Sequence, residues 1–514
     1  MPGLVSLIGV GPGDPGLLTL RGARAIGRAD TVLYDALVHP AVLAHARPEA
    51  ELLFVGKRAG QPSASQEEIN HTLVYRAGQG LRVARLKGGD PLLFGRGAEE
   101  MDFLAEHGVA FEVIPGVTAA LGASAYAGIP LSHRDLSSSL ALLTSTERPG
   151  RSRSRHDWSC LATATQTLVI YMGLGRLRDD LATLVAHGRA PSTPAAVIAL
   201  GTHPEQVVVT ATVGTLADAV EAARPPSPAL VIVGEVVSLR DRLAWWDRGP
   251  LFGRRILVTR AEAQSGPLVE LLTEAGAHPV PLPLLEIVPP SDPGPLARAI
   301  EALRAREFSV VVLTSRNGVG RFFQALRDAG LDARALGPCL VAAVGASTAE
   351  SLRTQGIVAD VVAAEAHAEG LLAALSPRLG PDPAVHRVLL PRAETGREVL
   401  VEGLRALGCT VDVAPVYRTV AASGEAGPSL RAQLDAGTLD AITVTAGSAA
   451  RFLCDLLGPE APGLLARTAV VSLGPVTTRA LSDLGVTAAA EALEPSDPGL
   501  FEALRQHFQK PSSP

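Results

Sequence analysis

LVSLIGVGPGDPG (residues 4–16) begins as an apolar run and breaks into glycine and proline. An apolar run that ends in a glycine-rich turn is how many α/β sheets begin, with a strand delivering its loop to a ligand. Gly9 and Gly11 fit the first two positions of the dinucleotide pattern G-x-G-x-x-G, but Asp14 occupies the third. Pro12 and Pro15 remove backbone N–H donors that would point at a pyrophosphate. The stretch therefore predicts a tight, rigid wall rather than a phosphate cradle, which argues against nicotinamide binding.

Outward from this loop, short apolar runs alternate with helical stretches up to about residue 247: RVARLKG, AFEVIPG, TLVIYMG, AAVIAL and ALVIVGEVV. Such alternation predicts an α/β fold with a largely buried sheet. WWDRGPLFGRR (245–255) has a Gly-Pro break and charge, and reads as a linker between domains at 1–247 and 254–510. The second domain repeats itself. LVTR (257–260) is echoed by LLPR (389–392), LTSRNGVGRFF (313–323) by VTAGSAARFL (444–453), and VGASTAESL (344–352) by LGPVTTRAL (473–481). The offset of about 130 residues marks a duplication into two α/β lobes. The proline-bounded segments PLPLLEI (281–287) and APVYRTV (414–420) match as well, and are expected to join the lobes where they cross. A cleft between two lobes suits a large ligand.

Composition narrows the function. The 514 residues carry 46 basic and 52 acidic side chains, a net charge of −6, which disfavours a nucleic-acid binder. The basic loop TERPGRSRSRHDWS (146–159) reads as solvated surface. Four cysteines without C-x-x-C spacing exclude a disulfide framework or a cysteine metal site and suit a reducing compartment. No leader and no membrane-spanning run is evident, so the expectation is a cytoplasmic protein. Lysine occurs only at Lys57, Lys87 and Lys510. Where arginine serves almost everywhere, the retained lysines stand out, because an ammonium can be tuned to exchange a proton and a guanidinium cannot. Lys87 reads equally as an attractor of substrate carboxylates and as an ordinary surface lysine.

Further motifs follow in order. YDALV (34–38) and GKRAG (56–60) offer a carboxylate and an ammonium at presumptive strand ends. RLKGGDPLLFGRG (85–97) places Gly88 and Gly89 where backbone must approach something closely, then Asp90 as an acceptor for hydroxyl or amino protons. VIPGVTAA (113–120) adds a Pro-Gly turn and Thr118. Singly these are turn chemistry. Together, with IPLSHRD, TLVIYMG, HPEQ and PALVIVGEVV, they resemble the uroporphyrinogen-III C-methyltransferases of the tetrapyrrole methylase family across residues 3–245. The resemblance implies two α/β lobes clasping S-adenosylmethionine, usually as a homodimer. It implies donor contacts from Pro12, Gly88, Gly89, Asp90, Leu93, Thr118, Ala119, Met172 and Gly201, with Asp35 as proton acceptor and Lys57 as proton donor. Relatives carry Thr-Gly-His where this chain reads LALLTSTERPG (140–150), which leaves local substrate contacts open. The dehydrogenase–chelatase module of the larger sirohaem synthases is not evident, so neither oxidation of precorrin-2 nor metal insertion is expected.

Residues 254–508 are similar to uroporphyrinogen-III synthase in the order of ILVTRAE, LTSRNGVGRFF, AVGASTAESL, VLLPRAETGREVL, PVYRT, DAITVTAGSAARF and VSLGPVTTRAL. This implies a cofactor-free closure of hydroxymethylbilane between two lobes. A polycarboxylate substrate calls for arginines and backbone donors, and Arg260, Arg392 and Arg418 lie near strand ends. Ser315 and Thr445 sit at presumptive helix starts, as anion donors or as caps. Tyr417 is where the family places a tyrosine that assists loss of the hydroxyl, or is an aromatic packed in the hinge. The expectation is a bifunctional enzyme acting on tetrapyrroles, making uroporphyrinogen III and methylating it to precorrin-2, without nucleic acid, membrane or metal. The alternative is a methylase of later corrin intermediates carrying an inactive two-lobed binding module.

Overall fold

The computed structural model describes residues 3–56, 64–145, 156–260, 262–282, 285–365, 367–396, 398–421 and 426–509. Among them the chain forms four sheets with helices between the strands. The first is wholly parallel: β1 (Leu4–Gly9), β2 (Thr31–Tyr34), β3 (Glu51–Phe54), β4 (Arg82–Lys87) and β5 (Ala110–Ile114), in the order β3-β2-β4-β1-β5. Successive residues of these strands feed opposite cores. Ile8, Val32, Ala84 and Leu86 pack on one face. Val5, Leu7, Leu33 and Val83 pack on the other, beneath Ile69, Leu73 and Leu104 of the helices Gln66–Gly78 and Gly97–Glu106. Both faces are covered, as a parallel sheet requires.

The second sheet comprises β6 (Leu140–Thr144), β7 (Thr167–Tyr171), β8 (Pro194–Ala199), β9 (Val207–Thr212) and β10 (Ala229–Val233), ordered β6-β7-β10-β8-β9. Only β6 and β7 pair in parallel. The connection from β8 to β9 is too short for the crossover that parallel pairing demands, so that pair is antiparallel.

Past these, β11 (Arg255–Val258), β12 (His278–Pro281), β13 (Leu285–Val288), β14 (Val310–Leu313), β15 (Leu340–Ala343), β16 (Val361–Val362), β17 (Arg387–Ala393), β18 (Thr410–Ala421), β19 (Ala441–Val444), β20 (Ala469–Ser472) and β21 (Ala490–Glu491) follow. They build a sheet β12-β11-β19-β20-β21 and a sheet β13-β18-β17-β14-β15-β16. The chain passes from one to the other between β12 and β13 and returns between β18 and β19. At the crossing β13 and β18 pair antiparallel, with Val288 opposite Arg418.

The segment read as a linker connects the two halves, but it is not loose. Trp246 and Leu251 are 5% and 1% exposed, and Arg240 holds Asp247 at 2.7 Å. The indole of Trp246 lies between Tyr126 of the first half and Phe252, with ring centroids 4.8 and 5.1 Å away. All four cysteines are free, and burial pushes the Cys339 thiol up to about 11. No helix among the described residues is long and apolar enough to cross a membrane.

Candidate functional site

The loop after β1 returns across the loop after β4. Gly11 and Gly89 exchange backbone hydrogen bonds of 3.4 and 2.7 Å. Glycine is demanded here by crowding: a Cβ on Gly116 would lie 2.2 Å from the Gly89 carbonyl oxygen, and one on Gly9 2.5 Å from the Gly116 nitrogen. Three loops from the carboxyl ends of β1, β4 and β5 thus meet backbone to backbone, at the end of the sheet where ligands of α/β folds sit.

The second sheet supplies the opposite side. Asp14 N donates to Thr202 Oγ1 at 2.9 Å, and Tyr126 Oη donates to Asp14 Oδ2 at 2.5 Å. Pro12 lies against Gly122, and Gly201 against Ala123, where added Cβ atoms would find 2.5 and 2.3 Å of space. Tyr171 Oη, at the end of β7, lies 2.6 Å from Thr118 Oγ1 and accepts from Ala120 N at 2.9 Å. Burial raises the Tyr171 phenol above its ordinary value, partly offset by those two hydrogen bonds. Its ring packs on Phe94 at 4.9 Å. Pro12, Gly89, Thr118, Ala119 and Gly201 are therefore gathered around the helix Ala119–Tyr126, and Met172 directly follows Tyr171.

Asp90 is an acceptor of backbone hydrogen bonds in this structure. Its Oδ1 accepts from Leu92 N and Leu93 N at 2.9 and 3.2 Å, and its Oδ2 from Gly116 N at 3.2 Å, so it organises the loop that carries Leu93. Five of the seven non-glycine residues with positive φ among the described residues stand at this end of the two sheets: Phe94, Arg96, Met172, Leu200 and Thr202. Such backbone costs free energy and concentrates where geometry serves function. Leu37, Leu92, Phe94 and Met172 expose apolar surface from these loops. Backbone groups with an apolar rim fit a nucleoside carrying a thioether chain. Among the described residues no cluster of His, Cys, Asp and Glu could hold a metal ion.

Asp35 follows β2 beside Gly88, whose absent Cβ would press on Leu37 at 2.9 Å. Asp35 Oδ1 accepts from Leu37 N at 3.0 Å, and Oδ2 lies 3.7 Å from Arg85 Nη2. Lys57 and residues 146–155 of the basic loop lie outside the described residues. Lys87 is not a surface lysine: it is 5% exposed and donates to Glu100 Oε1 at 2.7 Å. Burial, with Arg85 adding to it, lowers its pKa from the ordinary lysine value. Tyr171, Phe94, Arg85 and Glu100 had not been singled out from the sequence. Tyr171 lay inside TLVIYMG, quoted as a strand and as part of the resemblance, where only Met172 was given a role. A cavity of about 350 Å³ lies elsewhere, among Arg21, Arg24, Arg28, Arg82 and Glu112 at the start of β1 and β4.

In the second half the chosen residues divide between the sheets. Ser315 caps the helix Arg316–Asp328, accepting from Gly318 N at 3.0 Å, and its Oγ lies 3.3 Å from Tyr417 Oη. The Tyr417 ring is buried in the hinge core, so packing and a hydroxyl at the strand end coexist. Arg418, the next residue on β18, is exposed and donates to Pro289 O at 3.3 Å. Arg392 pairs with Glu398. Arg260 and Thr445 belong to the other sheet, and Arg260 pairs with Asp497 at 2.7 Å. The helix expected to start at Thr445 is capped one residue later, by Ala446, which provides no side-chain hydrogen bond.

The tetrapyrrole (corrin/porphyrin) methylase profile matches residues 4–217, and that of uroporphyrinogen-III synthase HemD matches residues 266–502. The porphyrin biosynthesis protein HemD of Ruminiclostridium josui is 40% identical over 81% of this chain and 82% of its own length. A siroheme synthase of Pseudomonas putida is 52% identical over 48% of this chain and 52% of its own length, so the chain spans about half the length of such relatives. The crystal structure of uroporphyrin-III C-methyl transferase from Thermus thermophilus complexed with S-adenyl homocysteine is 39% identical. That match covers 45% of this chain and 92% of the other, with a TM-score of 0.39.

Proposed function

Because the chain belongs to the tetrapyrrole methylases in its first half and to the HemD synthases in its second, we propose that it closes hydroxymethylbilane to uroporphyrinogen III and methylates that product at ring carbons to precorrin-2. Its domains are residues 1–247 and 254–510. The product of the second half is the substrate of the first, which gives the fusion a chemical reason.

The observation that carries the methyl-transfer reading is the meeting of strand-end loops from two sheets at the start of the helix Ala119–Tyr126, with Asp35 beside them. The methyl group comes from S-adenosylmethionine as an electrophilic sulfonium. Gly88, Gly89, Thr118, Ala119 and Gly201 offer it peptide groups, and Pro12, Leu93 and Met172 line it. The remaining task of the chain is to align the reacting atoms and exclude water, which the apolar rim favours. Methylation at a pyrrole carbon leaves a cationic ring system that must lose a proton, and the Asp35 carboxylate takes it. Lys57 returns a proton or holds a substrate carboxylate. In the second half Arg418 and the Ser315–Tyr417 pair face the polycarboxylate and its departing hydroxyl. A homodimer through the first half is part of the same reading.

A second reading has its own support: Arg260 and Arg392 are occupied by Asp497 and Glu398, and Ala446 provides no capping hydroxyl. The second half would then be a binding module without synthase activity. Feeding hydroxymethylbilane and S-adenosylmethionine to the purified protein decides between them. Methylated type III products support the proposal. Only the unrearranged type I ring means an inert second half, and unmethylated type III product refutes the first.

A further inference from the structure

Strand β4 carries Arg85 and Lys87 on the face that also presents Val83, beneath the helices Gln66–Gly78 and Gly97–Glu106. Two cations two residues apart on a covered strand need counter-ions. Glu100, 0% exposed and one helical turn from the core residue Leu104, is the buried one. Its Oε1 accepts from Lys87 Nζ at 2.7 Å, Gln66 Nε2 at 3.0 Å and Arg85 Nε at 3.4 Å, while Oε2 is buried with no hydrogen bond. Arg85 is 3% exposed. One edge of its guanidinium faces Glu100, Nη1 donates to Leu86 O at 3.0 Å, and Nη2 lies 3.7 Å from Asp35 Oδ2. Asp35 is the outermost member, its side chain 26% exposed. The four charged groups, from three segments of the first sheet and its covering helix, sum to zero.

Arg85 is thus shared unequally between two carboxylates, and the shorter, stronger contact to Glu100 is the one from Lys87. Resting on the methyltransferase reading above, we propose that Lys87 is a positioning residue: by engaging Glu100 it leaves Arg85 available to Asp35, and so keeps the proton-accepting carboxylate oriented. Lys87 does not touch substrate, since its ammonium is enclosed. Without it, the fully buried Glu100 has only one cation, and attraction in a desolvated site draws Arg85 inward and away from Asp35. Lysine suits this place because a single compact ammonium fills the gap that a second planar guanidinium would crowd.

The inference is tested in the full chain with Lys87→Met and with Lys87→Met combined with Glu100→Gln. The crystal structure of Lys87→Met should show Arg85 closed onto Glu100 and withdrawn from Asp35. Its kcat for methyl transfer should fall by about tenfold or more, within the range attributed to acid–base groups. Affinity for S-adenosylhomocysteine, measured by calorimetry, should stay within about twofold. Removing the anion as well leaves Arg85 with Asp35 alone, so the double variant should recover most of kcat. A double variant whose kcat is no better than that of the single one overturns the proposal. So does an Arg85–Asp35 contact unchanged in Lys87→Met. If the single variant does not fold, the double variant still decides: Arg85 kept on Asp35 with most of kcat retained supports the proposal, and Arg85 withdrawn or kcat lost overturns it. Failure of the wild type to methylate uroporphyrinogen III would refute the functional reading instead, and the crystallographic arm would still stand.

Discussion

The hydroxyl of Tyr171 joins two secondary elements that are 51 to 53 residues apart in sequence, binding Thr118 and the backbone of Ala120. Phenylalanine would keep the ring contact with Phe94 but strip two polar groups at the helix start of their partner. An unmade hydrogen bond of this kind costs about 1 kcal/mol net, or roughly fivefold in an equilibrium constant. Tyr171→Phe should therefore bind S-adenosylhomocysteine about fivefold more weakly by calorimetry, with an unchanged circular dichroism spectrum. Wild-type affinity would show that the hydroxyl only trims the fold. The residue was visible in TLVIYMG, yet nothing local separates a strand-end tyrosine that packs from one that organises a distant loop. The glycines were more legible, because a short motif demands them for reasons its neighbours reveal. Even so, the meeting of Gly9 and Gly89 with Gly116 of the Pro-Gly turn joins three separate loops, which no single motif reveals.

At the scale of elements, strands and their order of use followed from apolar runs and turn residues, while burial of charge did not. A parallel sheet is covered on both faces, so alternation along RVARLK marks no solvent side. Lys87 stood out as a rare lysine, but that it and Arg85 are buried shows only once the helices Gln66–Gly78 and Gly97–Glu106 are laid over them. Helix starts were legible to within a residue, the usual limit. That single residue matters in the second half, because it makes Ala446, not Thr445, the counterpart of the Ser315 cap. The helix Gly447–Leu457 therefore begins with its first N–H groups unserved by a side chain. Ala446→Ser should stabilise the protein by about 1 kcal/mol, read as a higher denaturation midpoint with unchanged slope. No gain would mean that the backbone there already satisfies those groups another way. If the hydroxyl also serves substrate, isomer-III formation should rise with it.

For the whole molecule, the question is whether the halves are independent bodies tied by a thread. The connection does not behave as a thread. Trp246 is enclosed by Tyr126 from the first half, by Phe252 of the connection and by Gly276 from the second half, a Cβ on Gly276 falling 3.2 Å from the indole. Glu205 reaches His278 of β12 at 3.0 Å. The ion pair is half exposed and worth little, whereas burial of an indole is worth several kcal/mol, and removing one from a core typically costs 3–5 kcal/mol. Coupling between the halves is therefore carried by the aromatic cluster. Trp246→Ala should separate the thermal unfolding of the two halves into distinct calorimetric transitions, where the wild type shows them merged or closely overlapped. Glu205→Gln should leave the trace almost unaltered. Each half builds its own sheets and cores, so both transitions of Trp246→Ala should remain cooperative, and each reaction, assayed alone, should survive below the first of them. A single transition lowered as a unit would mean that the surface joining the halves is stronger than this cluster, and that the two activities stand or fall together.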